Sequence, residues 1–76
     1  MTTKVANYRR YLNYSQKQMA DLLGVSYQAY WLKEKGKTPF TDTEKIKLVD
    51  FFKNHIEDSE LASKVTIEAL FFNAKV

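Results

Sequence analysis

A chain of 76 residues is a single small domain, and a chain near 60 buries only about 60% of its unfolded surface, which leaves no room for a cofactor fold with a catalytic cleft. A hydrophobic content of 45% with five Phe, five Tyr and one Trp excludes a disordered polymer, and the absence of Cys excludes disulfide staples, zinc fingers and thiol chemistry. The net charge of +3 divides unevenly, with seven basic and two acidic residues at positions 1–39 (+5) against five and seven at 40–76 (−2); the cationic half suits a polyanion, although a mixed surface with a chance bias reads equally well on charge alone.

Two Gly and one Pro leave few breakers, so the expected fold class is all-α, one domain over 1–76 built of five short helices. Val5, Tyr8 and Leu12 recur at i, i+3, i+7 and make the apolar face of the first helix, which Asn13 can close in a left-handed conformation. Ser15 offers an N-cap, and Gln18 three residues on completes a capping box. The segment 16–23 then puts Met19, Ala20, Leu22 and Leu23 on one stripe and stops at Gly24. Ser26 caps a third helix over about 27–35, ended by Gly36, and the turn before it is so short that the second and third helices cross steeply.

After the loop Lys37-Thr38-Pro39-Phe40, Thr41 through Glu44 is a strong helix start, with a cap, early acids and a capping-box Glu. Ile46, Val49, Phe52 and Ile56, helped by Leu48 and Phe51, predict a broad buried stripe. The stretch 57–64 is polar and reads as no more than a helical turn. Thr66 caps a last helix in which Ile67, Leu70 and Phe71 pack back on the core, so supporting helices span about 42–72.

Two helices joined by a tight Gly-containing turn form a helix-turn-helix, expected here over about 16–35, whose second helix can lie in the major groove of DNA. Ala20 is small where the two backbones approach, Gly24 supplies the turn conformation, and Met19, Leu23, Val25 and Tyr30 fall where both helices face the core.

The segment SQKQMADLLGVSYQAYWLKEKGK, with Arg9 ahead of it and the TP loop and TIEALFF after it, resembles the lambda-repressor/Cro-like (XRE) helix-turn-helix family, above all its small temperate-phage members. The resemblance implies a lambda-repressor-like DNA-binding domain acting in the bacterial cytoplasm or nucleoid as a transcriptional regulator on double-stranded operator DNA. It implies that Arg9 and Glu34 form a structural salt bridge. It places Gln16 against the phosphate backbone at a helix N-terminus, turns Tyr27, Gln28 and Leu32 toward base edges, and sets Lys35 and Lys37 beside the backbone. Gln28 can pair with adenine N6/N7, and Leu32 and the Tyr27 ring edge suit a thymine methyl. Lys17, Lys35, Lys37 and Arg10 would neutralise phosphates.

Lys33 departs from the family pattern, which has an aliphatic there. Either it lays its stem on the core and lifts its ammonium out, or Trp31 takes part of the core role, so whether Trp31 or Leu32 faces DNA stays open. Tyr8, Tyr30, Phe52 and Phe71 read as core. Tyr11, Tyr14 and Tyr27 read as half-exposed, with hydroxyls free for a phosphate or water. His55 reads as a surface residue, and Glu57, Asp58 and Glu60 as a solvated acidic face.

No phosphate loop, nucleophile–base pair or metal-ligand spacing occurs, so neither an enzyme, a metal nor a cofactor is expected. The rival to DNA is a protein partner, since Tyr27, Tyr30, Trp31 and Leu32 make the third helix unusually apolar and phage proteins of this fold also bind repressor proteins as antirepressors. A homodimer is a further expectation, with Phe51, Phe71 and Phe72 too many to be internal in so small a core. The N-terminus lacks an apolar leader and no run is long enough for a membrane span, so the reading is a soluble intracellular protein.

Overall fold

Turn and cap chemistry divides the chain into six helices over residues 3–71, which the computed structural model describes: α1 Val5–Tyr11, α2 Gln16–Leu23, α3 Tyr27–Glu34, α4 Asp42–His55, α5 Ser59–Ser63 and α6 Ile67–Phe71. Among the described residues there is no strand. Ser15 accepts from the Gln18 N–H at 3.0 Å while the Gln18 side chain accepts from the Ser15 N–H at 2.8 Å. Thr41 and Glu44 repeat that reciprocal pair at the head of α4, at 3.1 and 2.9 Å. Ser26 accepts from the Ala29 N–H at 3.1 Å and starts α3 after a turn of Gly24, Val25 and Ser26.

The chain leaves α1 through Asn13 at φ +64° and α2 through Gly24 at φ +72°. A Cβ added at Gly24 would meet nothing within 4 Å, so a side chain there is opposed by the backbone dihedral alone. Gly24→Ala is therefore expected to lower stability by about 1 kcal/mol, read from urea unfolding. A loss several times larger would mean that the turn is closed by packing instead.

The expected count of five helices is corrected to six by α5. Asp58 caps it, its Oδ1 accepting from the Glu60 and Leu61 N–H groups at 2.9 and 3.4 Å, and Leu61 and Ala62 pack against the core. A single turn with one acidic cap and two apolar residues has too little periodicity to stand out in a polar stretch.

All six helices pack around one core, to which α5 adds only half-buried residues, and in it Val5, Met19, Tyr30, Leu48, Phe52, Val65 and Leu70 are fully buried. Tyr8 stacks on Phe52 with ring centroids 5.6 Å apart. The N–H of Lys4 donates to the Leu70 carbonyl at 3.0 Å and ties the start of α1 to α6. Phe40, which the sequence left in a loop, is also core, edge-on to Tyr30 and Phe71 at 6.2 and 5.5 Å.

Ile46 overturns its expectation and is 53% exposed. The inner stripe of α4 is Leu48, Phe52 and Ile56 at four-residue spacing, and a residue two positions from Leu48 points about 200° round the helix. Leu22 and Ile67 likewise lie at the surface, although both were expected on inner stripes. The surplus of aromatics expected near the end of the chain is smaller than anticipated, because Phe71 is buried and Phe51 packs on the core; Phe72 lies outside the described residues. No helix among the described residues is long and apolar enough to cross a membrane.

Candidate functional site

α2 and α3 pack on each other more extensively than any other pair of helices, and the inner edge of that pair is polar. Glu34, at the end of α3, is buried to 4% side-chain exposure and pairs with Arg9 of α1, Nε to Oε2 at 2.8 Å. Arg9 also reaches Oε1 through Nη2 at 3.2 Å and the Tyr14 carbonyl through Nη1 at 2.9 Å. The Tyr30 hydroxyl donates to Oε2 at 2.6 Å and the Gln16 side-chain amide to Oε1 at 2.8 Å. Four donors thus fill the carboxylate, and no buried side-chain nitrogen or oxygen among the described residues lacks a partner. The Arg9–Glu34 pairing is as the sequence reading anticipated.

Burial works against the charge of Glu34, but hydrogen bonds from Arg9, Tyr30 and Gln16 outweigh it and hold its pKa below the ordinary 4.5. The hydrogen bond to Glu34 raises Arg9 despite its own desolvation. Burial, and then the Glu34 carboxylate, push the Tyr30 phenol far above its usual range.

Gln16 has partners that the sequence did not predict. While its place at the start of α2 is the one expected beside a phosphate, its half-buried side chain donates to Glu34 and accepts from the Tyr27 hydroxyl at 3.2 Å. The cause is the spare lone pair that Arg9 and Tyr30 leave on Oε1, which a neutral amide can fill at no cost in charge. Tyr27 is half-exposed as expected, at 47%, but its hydroxyl donates to the Gln16 side-chain oxygen and does not stand free. Tyr14 packs edge-on to Phe51 and His55 at 5.1 and 6.0 Å, while Tyr11 stands 56% exposed.

With Tyr30 and Glu34 turned inward, α3 presents Tyr27, Gln28, Trp31 and Leu32 together, lining one shallow depression of about 330 Å³. The four residues expected at base edges therefore share a surface. Trp31 is 37% exposed and does not enter the core. The core-side position next to it goes to Lys33, whose Nζ pairs with Glu44 at 3.0 Å and donates to the Pro39 carbonyl at 3.3 Å. That pair joins the end of α3 to the head of α4. Burial opposes the charge of Glu44, but bonds from the Thr41 N–H and from Lys33 prevail and lower its pKa below 4.5.

The expected phosphate contacts scatter more widely. Lys35 holds its ammonium 5.5 Å from the Trp31 ring centroid, a cation–π arrangement at the edge of the depression. The Lys37 N–H donates to the Leu32 carbonyl at 2.9 Å, which folds the chain back beside the last turn of α3. Lys17 makes an exposed i, i+4 pair with Asp21 at 3.8 Å. Arg10 is exposed on α1, and neither it nor Lys17 lines the depression. Among the described residues, no group of three or more His, Cys, Asp and Glu side chains is placed to hold a metal ion.

Comparison with protein-family models, with curated proteins and with solved structures finds no match to this chain.

Proposed function

We propose that the chain is a sequence-specific DNA-binding transcriptional regulator of Cro or repressor type, in which α2 and α3 form a helix-turn-helix and α3 enters the major groove. The observation that carries the reading is the split of α3. Tyr30 and Glu34 anchor one side in the core, while Tyr27, Gln28, Trp31 and Leu32 share the outer surface. A helix so anchored, with the Gln28 amide and the apolar Trp31 and Leu32 outward, is equipped to read an adenine and a neighbouring thymine methyl. Lys35 and Lys37 follow at its end, where the phosphate backbone would pass. Gln16, which opens α2, would lie against a phosphate at that helix N-terminus, where the free N–H groups favour an anion.

The role is binding without catalysis, and it operates where bacterial or phage operators are found. One recognition helix reads few base pairs, so the working form is a homodimer, assembled at the latest on a pseudo-palindromic site with half-sites about 34 Å apart.

Selection from a random duplex pool at two salt concentrations tests the reading, and a consensus emerging at low salt is the expected result. No enrichment would sink it. Gln28→Ala is expected to relax the preference at one adenine by about tenfold, in line with about 1–3 kcal/mol for a bidentate contact, while leaving other positions unchanged. A uniform loss across sequences would remove Gln28 from base reading.

A second reading is supported by the apolar character of the same surface, where Tyr27 is 47% and Trp31 37% exposed. On that reading the depression takes up a repressor protein, and the chain is an antirepressor. Such a complex would respond little to added salt.

A further inference from the structure

The polarity of hydrogen bonds on the inner side of α3 constrains what its outer side can present. Glu34 is held between the Nε and Nη2 of Arg9 at 2.8 and 3.2 Å, and an ionised carboxylate accepts only. The Gln16 side chain must therefore offer Glu34 its NH₂ end, which fixes the amide orientation on chemical grounds. Its carbonyl oxygen is left facing Tyr27, 3.2 Å from the hydroxyl. That oxygen cannot donate, so the Tyr27 hydroxyl spends its single proton on Gln16. What remains on the exposed side of Tyr27 is a pair of lone pairs on a ring that lines the outer depression.

We infer that Tyr27 is a specificity-determining residue that presents only an acceptor, and so selects a base with an exocyclic amino group in the major groove, adenine N6 or cytosine N4. Guanine and thymine offer acceptors at the corresponding edge and are disfavoured, as is a phosphate oxygen. This rests on the DNA-reading proposal, and it assigns Tyr27 a polarity that the ring alone would not have. A relay from Arg9 through Glu34 and Gln16 sets that polarity, which makes the Gln16 side chain a positioning group for Tyr27.

The test compares operators selected from a random duplex pool by the wild-type protein, by Tyr27→Phe and by Gln16→Leu. Tyr27→Phe keeps the ring and the core packing. One position should prefer A or C in the wild-type set and lose that preference, by about 3- to 10-fold, with Tyr27→Phe. Replacing adenine at that position by unsubstituted purine should weaken the wild type by a similar factor and leave Tyr27→Phe unchanged. Gln16→Leu frees the hydroxyl proton and should admit G or T there. If the Tyr27-dependent position prefers G or T, if no position depends on Tyr27, or if Tyr27→Phe weakens all duplexes evenly, the inference falls while DNA reading stands. If no duplex is enriched by the wild type, the DNA reading itself falls and takes the inference with it.

Discussion

Glu34→Ala is expected to lower stability by about 3–5 kcal/mol, because it leaves the guanidinium of Arg9, itself only 11% exposed, without its counter-charge. The Tyr30 hydroxyl and the Gln16 amide lose their acceptor in the same step. For a domain whose total stability lies near the lower end of the usual 5–15 kcal/mol, that loss unfolds a large share of the molecules at 37 °C. Urea unfolding monitored by circular dichroism reads it directly. The double change Arg9→Met with Glu34→Leu removes both charges and should recover most of the loss. If the single and double variants are equally unstable, the ion pair is not what joins α1 to α3.

This network and the separate Lys33–Glu44 pair set the pH limits. The folded-state pKa values of Glu34 and Glu44 lie below the ordinary 4.5. Their contribution is therefore complete above 4.5 and is lost as pH falls through the folded values. Tyr30 acts in the opposite sense, since its folded value is raised above the ordinary 10. Its contribution is complete below 10 and is lost as pH climbs beyond it. Glu34→Gln should flatten the acid limb of the stability profile.

Raising salt from 50 to 200 mM is expected to weaken the proposed DNA complex about 100-fold per protomer. This is the outcome if Arg10, Lys17, Lys35 and Lys37 each neutralise one phosphate, at a slope of about −0.9 per contact. Lys17 has to leave Asp21 to do so, but an exposed pair at 3.8 Å is worth only a few tenths of a kcal/mol and exchanges readily. Lys37→Ala should reduce the slope by about one and weaken all sequences alike. Lys35→Ala should do the same and also loosen Trp31, over whose ring its ammonium sits. Titrations of a selected duplex at four salt concentrations check this, and a flat profile would favour the protein partner instead.

Much of the chain could be read without its tertiary structure, and that part is local. Ser15 with Gln18, Thr41 with Glu44, Asn13 and Gly24 occupy the expected caps and turns, because the groups involved lie within four residues of one another. The pairing of Arg9 with Glu34, 25 residues apart, is implied only by resemblance to a family; spacing in the chain does not predict it.

The rest depended on how each helix is rotated about its axis. That rotation put Ile46 outside, and the same packing drew Phe40 and Val65, which lie between helices, inside. It resolved the choice between Lys33 and Trp31 by giving Lys33 a carboxylate partner on α4. Tertiary packing also brought the Gln16 amide to Glu34, which had a lone pair to fill. Helix ends are specified by backbone hydrogen bonding over one turn, so the sequence by itself determined an all-helical chain and most of its breaks. The direction of each side chain is decided by partners distant in the chain, and only their packing selected which residues of α3 face outward and with what polarity.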